Sequence, residues 1–373
     1  MRHLHLLLWT VLIAASATAQ VQSDARVNSE STYRTRSIES LPPTQAEAAM
    51  NVAAEPSPAP SYLLDQYRLE RRSRYSQSGR ALSGRDHNAL DAQLAAMEQA
   101  CGNTPAYAFA HWEHNGFLKQ DYQTLKQVSA TVADASLSAL DRTLADAVHA
   151  AIYSDDSALE QALASMSTQH SFAPASSTLQ KNALHSAQAN SIMITHGFED
   201  TFALLQHQRA GLRKDVLVVH LDWLRNPDYA QRIYQQVGAV YAPATGPDDH
   251  LKALVKAAQL STRPFYLSTT LPAQALKRFD GDLYPEGVLL RCHKPLAFDN
   301  ILATVTWWEQ RADRSHIQSG AAINRNYLIA LAVLNNFYTA GGEQEKAREL
   351  QGLLQALTPS SEQQSRVKQV TTY

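Results

Sequence analysis

The stretch Ser191-Ile192-Met193-Ile194-Thr195-His196-Gly197-Phe198-Glu199-Asp200-Thr201, with Val216-Leu217-Val218-Val219-His220-Leu221 a short distance on, decides the fold class. Each begins with a continuous apolar run too short for an ordinary helix. A strand covered on both faces needs that pattern, and such strands belong to parallel sheets. Gly197 breaks the first run, and Asp200 or Thr201 can cap a helix through Phe202, Leu204 and Leu205 that stops at Gly211.

The same alternation continues. Asn226-Pro227 pairs a cap with proline at the first helical position, and Gly238 ends that helix. A further helix carries Leu251, Leu254 and Val255. Phe265-Tyr266-Leu267-Ser268 reads as a third strand, and Val288-Leu289-Leu290-Arg291-Cys292 as a fourth. Strands alternating with helices imply a small parallel sheet with right-handed crossovers, an α/β domain over residues 189–295.

Open parallel sheets place ligands just beyond the carboxyl ends of their strands. Here those ends carry Thr195, His196, Glu199, Asp200 and Thr201 after the first strand, and His220 and Asp222 after the second. Imidazoles and carboxylates on one rim suit a divalent metal, acid/base pairs or the hydroxyls of a sugar. The same residues also suit plainer roles: Asp200 and Thr201 as helix caps, His220 as a buried hydrogen-bonding group. No organic cofactor is expected. A Gly-x-Gly-x-x-Gly turn, a phosphate loop ending in Gly-Lys-Ser/Thr and a Gly-x-Ser-x-Gly nucleophile turn are all missing from the sequence. Cys292 and His293 are neighbours at a strand end, where adjacent side chains face opposite ways, a poor arrangement for a nucleophile and its base.

Amino-terminal to this region, residues 61–188 read as helical, with Ser61, Asp86 or Asn88, and Thr104-Pro105 as starts. Residues 167–190, rich in Ser, Gln, His and Ala, read as a connector with room for a short helix. Frequent alanine favours closely packed helical hairpins, without a clean repeat period. His111 and His114, three apart, share a helix face but lack the spacing of zinc peptidases and a nameable third ligand. Cys101 and Cys292 are the two cysteines; they either pair in an oxidising compartment or stay apart.

At the other end, residues 296–358 read as helical, opening with Asp299 as a cap. Leu334, Tyr338, Ala347 and Pro359 stand at spacings that resemble a tetratricopeptide unit, broken at Gly341-Gly342. Residues 359–373 form a polar tail.

The first nineteen residues start Met1-Arg2-His3, continue in a mostly apolar run from Leu4 to Ala15, and end in Ser16-Ala17-Thr18-Ala19. This pattern predicts a secretory signal peptide, too short to span a membrane comfortably, and hence a periplasmic or secreted protein. Residues 20–60, ending in Glu55-Pro56-Ser57-Pro58-Ala59-Pro60, lack apolar periodicity and read as a disordered tether. A formal net charge of -2 over 373 residues provides no basic field for nucleic acid. Two cysteines exclude a disulfide-dense scaffold.

Thr195-His196-Gly197-Phe198-Glu199-Asp200-Thr201 followed by Arg213-Lys214-Asp215-Val216-Leu217-Val218-Val219-His220-Leu221 resembles the soluble carboxyl-terminal region of bacterial multi-spanning membrane proteins related to protein O-mannosyltransferases. Leu224, Tyr229 and the final hairpin with Ala347 are similar too, so the likeness extends over 189–357. It implies an α/β fold with a following helical hairpin, and a binding role for Asp200 and Thr201. His196 and His220 stand where that family more often has amides, and Phe198 where it more often has a polar side chain. No membrane-spanning array accompanies them, so transferase activity does not carry over. The expectation is a non-catalytic binding or assembly module for an envelope protein or glycan. The alternative is a metal-assisted hydrolase or group-transfer enzyme.

Overall fold

Local chemistry starts several helices where the sequence places them. Thr104 accepts the Tyr107 amide ahead of a helix whose first residue is Pro105. Asn226 accepts the amides of Asp228 and Tyr229, and Asp299 those of Ile301 and Leu302. A side-chain oxygen one residue ahead of the first turn satisfies amides that have no partner within the helix. The computed structural model describes residues 58–78, 84–132, 136–169, 172–241, 247–261, 263–271, 275–276, 278–279, 282–292 and 299–358. The expected leader, the tether up to residue 57, and the tail 359–373 lie outside the described residues.

Among the described residues, seven helices precede the sheet: α1 (Pro60–Ser78), α2 (Gly84–Cys101), α3 (Pro105–His114), α4 (Lys119–Thr131), α5 (Ala139–Tyr153), α6 (Asp156–Gln169) and α7 (Pro174–Ser186). α1 lies against α2, α3 against α4 and α5 against α6, as helical pairs. Two expected starts move. α1 begins at Pro60, ahead of Ser61, and both Asp86 and Asn88 lie inside α2. The larger difference is α7, a 13-residue helix where a connector with room for only a short one is expected. Its buried face is made of Ser176, Thr178, Gln180, Asn182 and Ser186 beside Leu179 and Leu184, so no apolar stripe betrays it.

The sheet holds β1 (Ile192–Thr195), β2 (Leu217–His220), β3 (Phe265–Ser268), β4 (Leu283–Glu286) and β5 (Leu289–Cys292) in the order β2-β1-β3-β5-β4. β1 runs parallel to both neighbours, with Met193 opposite Val218 and Tyr266. Between them stand α8 (Phe198–Arg209), a short 3-10 turn Asp222–Arg225, α9 (Pro227–Gln236) and α10 (Pro247–Leu260). The expectation of an all-parallel sheet is corrected at the fourth strand. β5 pairs antiparallel with β3 and with β4, a strand the sequence reading missed. Two residues, Gly287 and Val288, join β4 to β5, and a link that short permits only an antiparallel hairpin. Gly287 takes φ +57°, and a Cβ there would strike Ser186 Oγ and the Trp307 ring. β4 is hard to see in the sequence because it carries Pro285, tolerated at a sheet edge.

Both faces of the sheet are covered. Ile192, Ile194, Val219, Phe265, Leu267 and Leu290 join the amino-terminal helices, α9 and α10 in one core. Met193, Tyr266 and Leu289 face α7, α11 (Asn300–Gln310), α12 (Leu328–Ala340) and α13 (Gln344–Leu357) in the other. Each apolar side chain buried this way contributes about 1.5–3 kcal/mol. The amino-terminal helices and the sheet therefore share one core. α12 and α13 form a helical hairpin around Gly342 at φ +76°, with Tyr338 and Ala347 buried inside it. Among the described residues, no helix is long and apolar enough to cross a membrane.

Candidate functional site

Strand order β2-β1-β3 sends the connections from β1 and β3 to opposite sides, the topology that makes their carboxyl ends the place to look for a site. The expected rim residues divide there into two groups.

The first group gathers around the start of α8, and Asp200 reaches from it to Thr270 beyond the end of β3. α8 starts at Phe198, earlier than the expected Asp200 or Thr201, because Gly197 at φ +92° turns the chain into the helix. Asp200 is thereby freed from capping. Its Oδ1 accepts from Gln180 Nε2 of α7 at 2.8 Å, and the Thr270 hydroxyl beyond β3 also bonds it. Burial pushes the Asp200 carboxyl up to about 7, the charge of Glu199 adds to this, and the bonds from Thr270 and Gln180 oppose it. Thr270 Oγ1 lies 2.7 Å from Ser268 Oγ. Thr201 donates to the Gly197 carbonyl at 3.0 Å, and its hydroxyl lies 2.7 Å from that of Thr195. The Glu199 side chain is exposed.

The second group lies at the ends of β1 and β2. His220 Nδ1 accepts the Asp222 amide at 3.2 Å, so Nε2 carries the proton of a neutral imidazole. That Nε2 is buried with no hydrogen-bond partner. The ring stacks on Trp223 at 4.5 Å, with Phe198 at 5.6 Å and His196 at 6.3 Å. Burial lowers the His220 pKa to about 3 against the pull of Asp222, and His196, Arg71 and Arg225 lower it further. His196 is lowered for the same leading reason. Burial alone would raise the Asp222 carboxyl, yet Arg71 and Arg225, helped by the two histidines, hold it well below the carboxylate range. Arg71 reaches in from α1, pairing with Glu113 of α3 and with Asp222 Oδ2 at 3.5 Å. Arg225 donates to the carbonyls of His114 and Glu113 at 3.1 and 3.0 Å.

The structure thus brings His196, His220 and Asp222 together, bonds Asp200 to Gln180 and Thr270 and Thr201 to Thr195, and leaves Glu199 exposed. Sequence reasoning misses Gln180, Thr270, Arg71, Glu113 and Arg225. For Asp200 the one available signal is the position of Thr270 just after a predicted strand. Nothing near Arg71 in the sequence points to Asp222.

Among the described residues, no group of three or more His, Cys, Asp or Glu side chains is arranged to hold a metal ion. His114 engages Tyr67 OH at 3.0 Å and Asp91 at 2.7 Å, while His111 lies 3.8 Å from Asp121, so the two imidazoles serve different partners. Cys101 and Cys292 are each buried and unbonded, which settles the disulfide alternatives in favour of separate thiols. Burial pushes the Cys292 thiol far above its ordinary value, where it is no nucleophile. His293 lies outside the described residues. Comparisons with protein-family models, curated proteins and solved structures find no match, so the site is read from its own geometry.

Proposed function

We propose that this chain is a non-catalytic binding or assembly module of the cell envelope, periplasmic or secreted, that takes an envelope protein or a glycan. The observation that carries the reading is the closure of the rim charges upon one another. Arg71 pairs with Glu113 and Asp222 within the protein, Arg225 adds a second positive charge near Asp222, and burial holds His220 neutral. A general base poised against a nucleophile needs a side chain still able to take a proton near neutral pH, and His220 is not one. The final hairpin, read as a tetratricopeptide-like unit, and the likeness of 195–221 to the soluble region of O-mannosyltransferase-related proteins agree with a recognition role. Affinity capture from envelope extract with the purified chain, followed by glycan-array binding, tests the reading. Specific retention of a protein or a glycan is the expected result; retention of neither overturns it.

A second reading, metal-assisted hydrolysis or group transfer on envelope glycan or protein, is favoured by one feature. Asp200, with its pKa near 7, stands beside the Thr270 hydroxyl at the end of β3, where a general acid or base would serve. Metal analysis of the purified protein separates the two. A stoichiometric divalent ion lost in Asp200→Ala favours the enzyme.

A further inference from the structure

α1 and α2 pack as a pair, and an open groove of about 290 Å³ lies between them, lined by Gln66, Leu69 and Glu70 of α1 and by Ala89 and Gln93 of α2. Helical spacing puts Tyr62, Gln66 and Leu69 on one face of α1, four and three residues apart. Tyr62 is 54% exposed and Leu69 39%, so two large apolar side chains stand in solvent on that face, whereas Leu64 and Tyr67 of the same helix are buried in the core. Gln93, in the wall made by α2, keeps its Oε1 buried with no hydrogen-bond partner. A buried acceptor left without a donor is costly, and a ligand hydroxyl is a donor small enough to relieve it.

The lining selects the ligand class. Two carboxamides and a carboxylate offer donors and acceptors, Leu69 and Ala89 offer apolar surface, and the Tyr62 ring lies one turn before Gln66. A sugar has hydroxyls at its edge and C–H groups on its faces, and so matches both kinds of surface. Peptides dock on helices through rows of apolar anchors, as Pro-rich segments in aromatic-lined grooves, or as phosphorylated segments on arginine clusters. Among the described residues the lining has none of these features. Its one charged side chain among them, Glu70, is negative, which disfavours an anionic ligand. We propose that the α1–α2 groove is a subsite for a neutral glycan, with Gln93 Oε1 and the Gln66 amide taking its hydroxyls, and Tyr62 and Leu69 its C–H face. This rests on the glycan branch of the function proposed above, and gives that branch a place that includes none of the rim residues.

Isothermal titration calorimetry of the full chain tests it, with neutral oligosaccharides of glucose, mannose, galactose and N-acetylglucosamine as probes and galacturonic acid oligosaccharides as the anionic control. At least one neutral probe should bind, and more tightly than the control. Gln93→Leu removes an acceptor that has no partner within the protein, and Tyr62→Ala alters an exposed position. Each should weaken binding by about tenfold or more. Gln351→Ala, exposed on α13, should leave it unchanged. Wild-type affinity in both groove variants overturns the subsite and leaves the glycan reading standing. No binding of any neutral probe overturns the glycan subsite, while capture of a protein from envelope extract would still uphold the broader reading. Loss of that capture in Gln93→Leu would then assign the groove to a peptide and overturn the proposal. Should Gln93→Leu not fold, Tyr62→Ala decides alone.

Discussion

Replacing Asp200 by Asn isolates one ionisation. The folded carboxyl titrates at about 7 against an ordinary 3.8, chiefly because it is buried. A raised folded value means that the native state holds the proton more tightly than the unfolded chain does. Asp200 therefore contributes its full share of stability below about pH 4, and that share is lost as pH rises toward about 7. At about 1.4 kcal/mol per pH unit the loss totals about 4 kcal/mol. The carboxamide in Asp200→Asn keeps an oxygen for Gln180 Nε2 and offers an N–H to Thr270 without ever ionising. The variant should match the wild type near pH 4 and exceed it by about 4 kcal/mol above pH 7. Urea unfolding of both proteins at half-unit steps from pH 4 to 8 measures the difference, from which His149, His220 and every other shared group cancel. Parallel curves, with a constant offset across the range, would show that Asp200 is not a buried carboxyl in the bridge between α7 and β3.

His220 should set the acid limb. Its folded pKa is depressed to about 3, so its stabilisation is present above about pH 6.5 and lost on acidification; His220→Gln should remove about 2 kcal/mol of the loss between pH 6.5 and 5, read by urea unfolding at the two pH values. Gly287→Ala should cost about 2–3 kcal/mol in thermal unfolding, because the backbone stands at φ +57° and the added methyl meets Ser186 and Trp307. Asn226→Ala should cost about 2–3 kcal/mol, losing the cap of α9 and the amide that donates to the carbonyls of Gly116 and Phe117. Asn226→Asp, which keeps the cap but turns a buried carboxylate oxygen toward those two carbonyls, should be at least as unstable as Asn226→Ala, and an Asp variant as stable as the wild type would show that the bonds to Gly116 and Phe117 contribute nothing.

The elements legible in the sequence are those whose cause is local. Ile192 to Ile194 and Val216 to Val219 are uninterrupted apolar runs, and burial on both faces is the arrangement that shelters every member. Thr104, Asn226 and Asp299 cap the helices directly after them. α7 and β4 are not legible, since Gln180 and Asn182 on a buried helix face, and Pro285 in an edge strand, contradict the usual pattern at their own positions. What makes them acceptable is distant: Asn182 donates to Tyr327 and the Asp313 carbonyl, and Gln180 to Asp200. The candidate site is legible in its strand-borne members, His196, His220 and Asp222, because a strand end is a place that topology makes significant. Their charge partners are not.

Two same-direction strands, their caps and the closing helical hairpin follow from the sequence alone, because each is dictated by contacts among residues a few positions apart. The antiparallel return of β5, the division of the rim, and the pairing of Arg71 with Asp222 across 151 positions were decided only in the folded chain. A polar or charged side chain is buried without penalty only where another fills its bonds, and the sequence does not carry the address of that partner when the packing of everything between them determines who arrives.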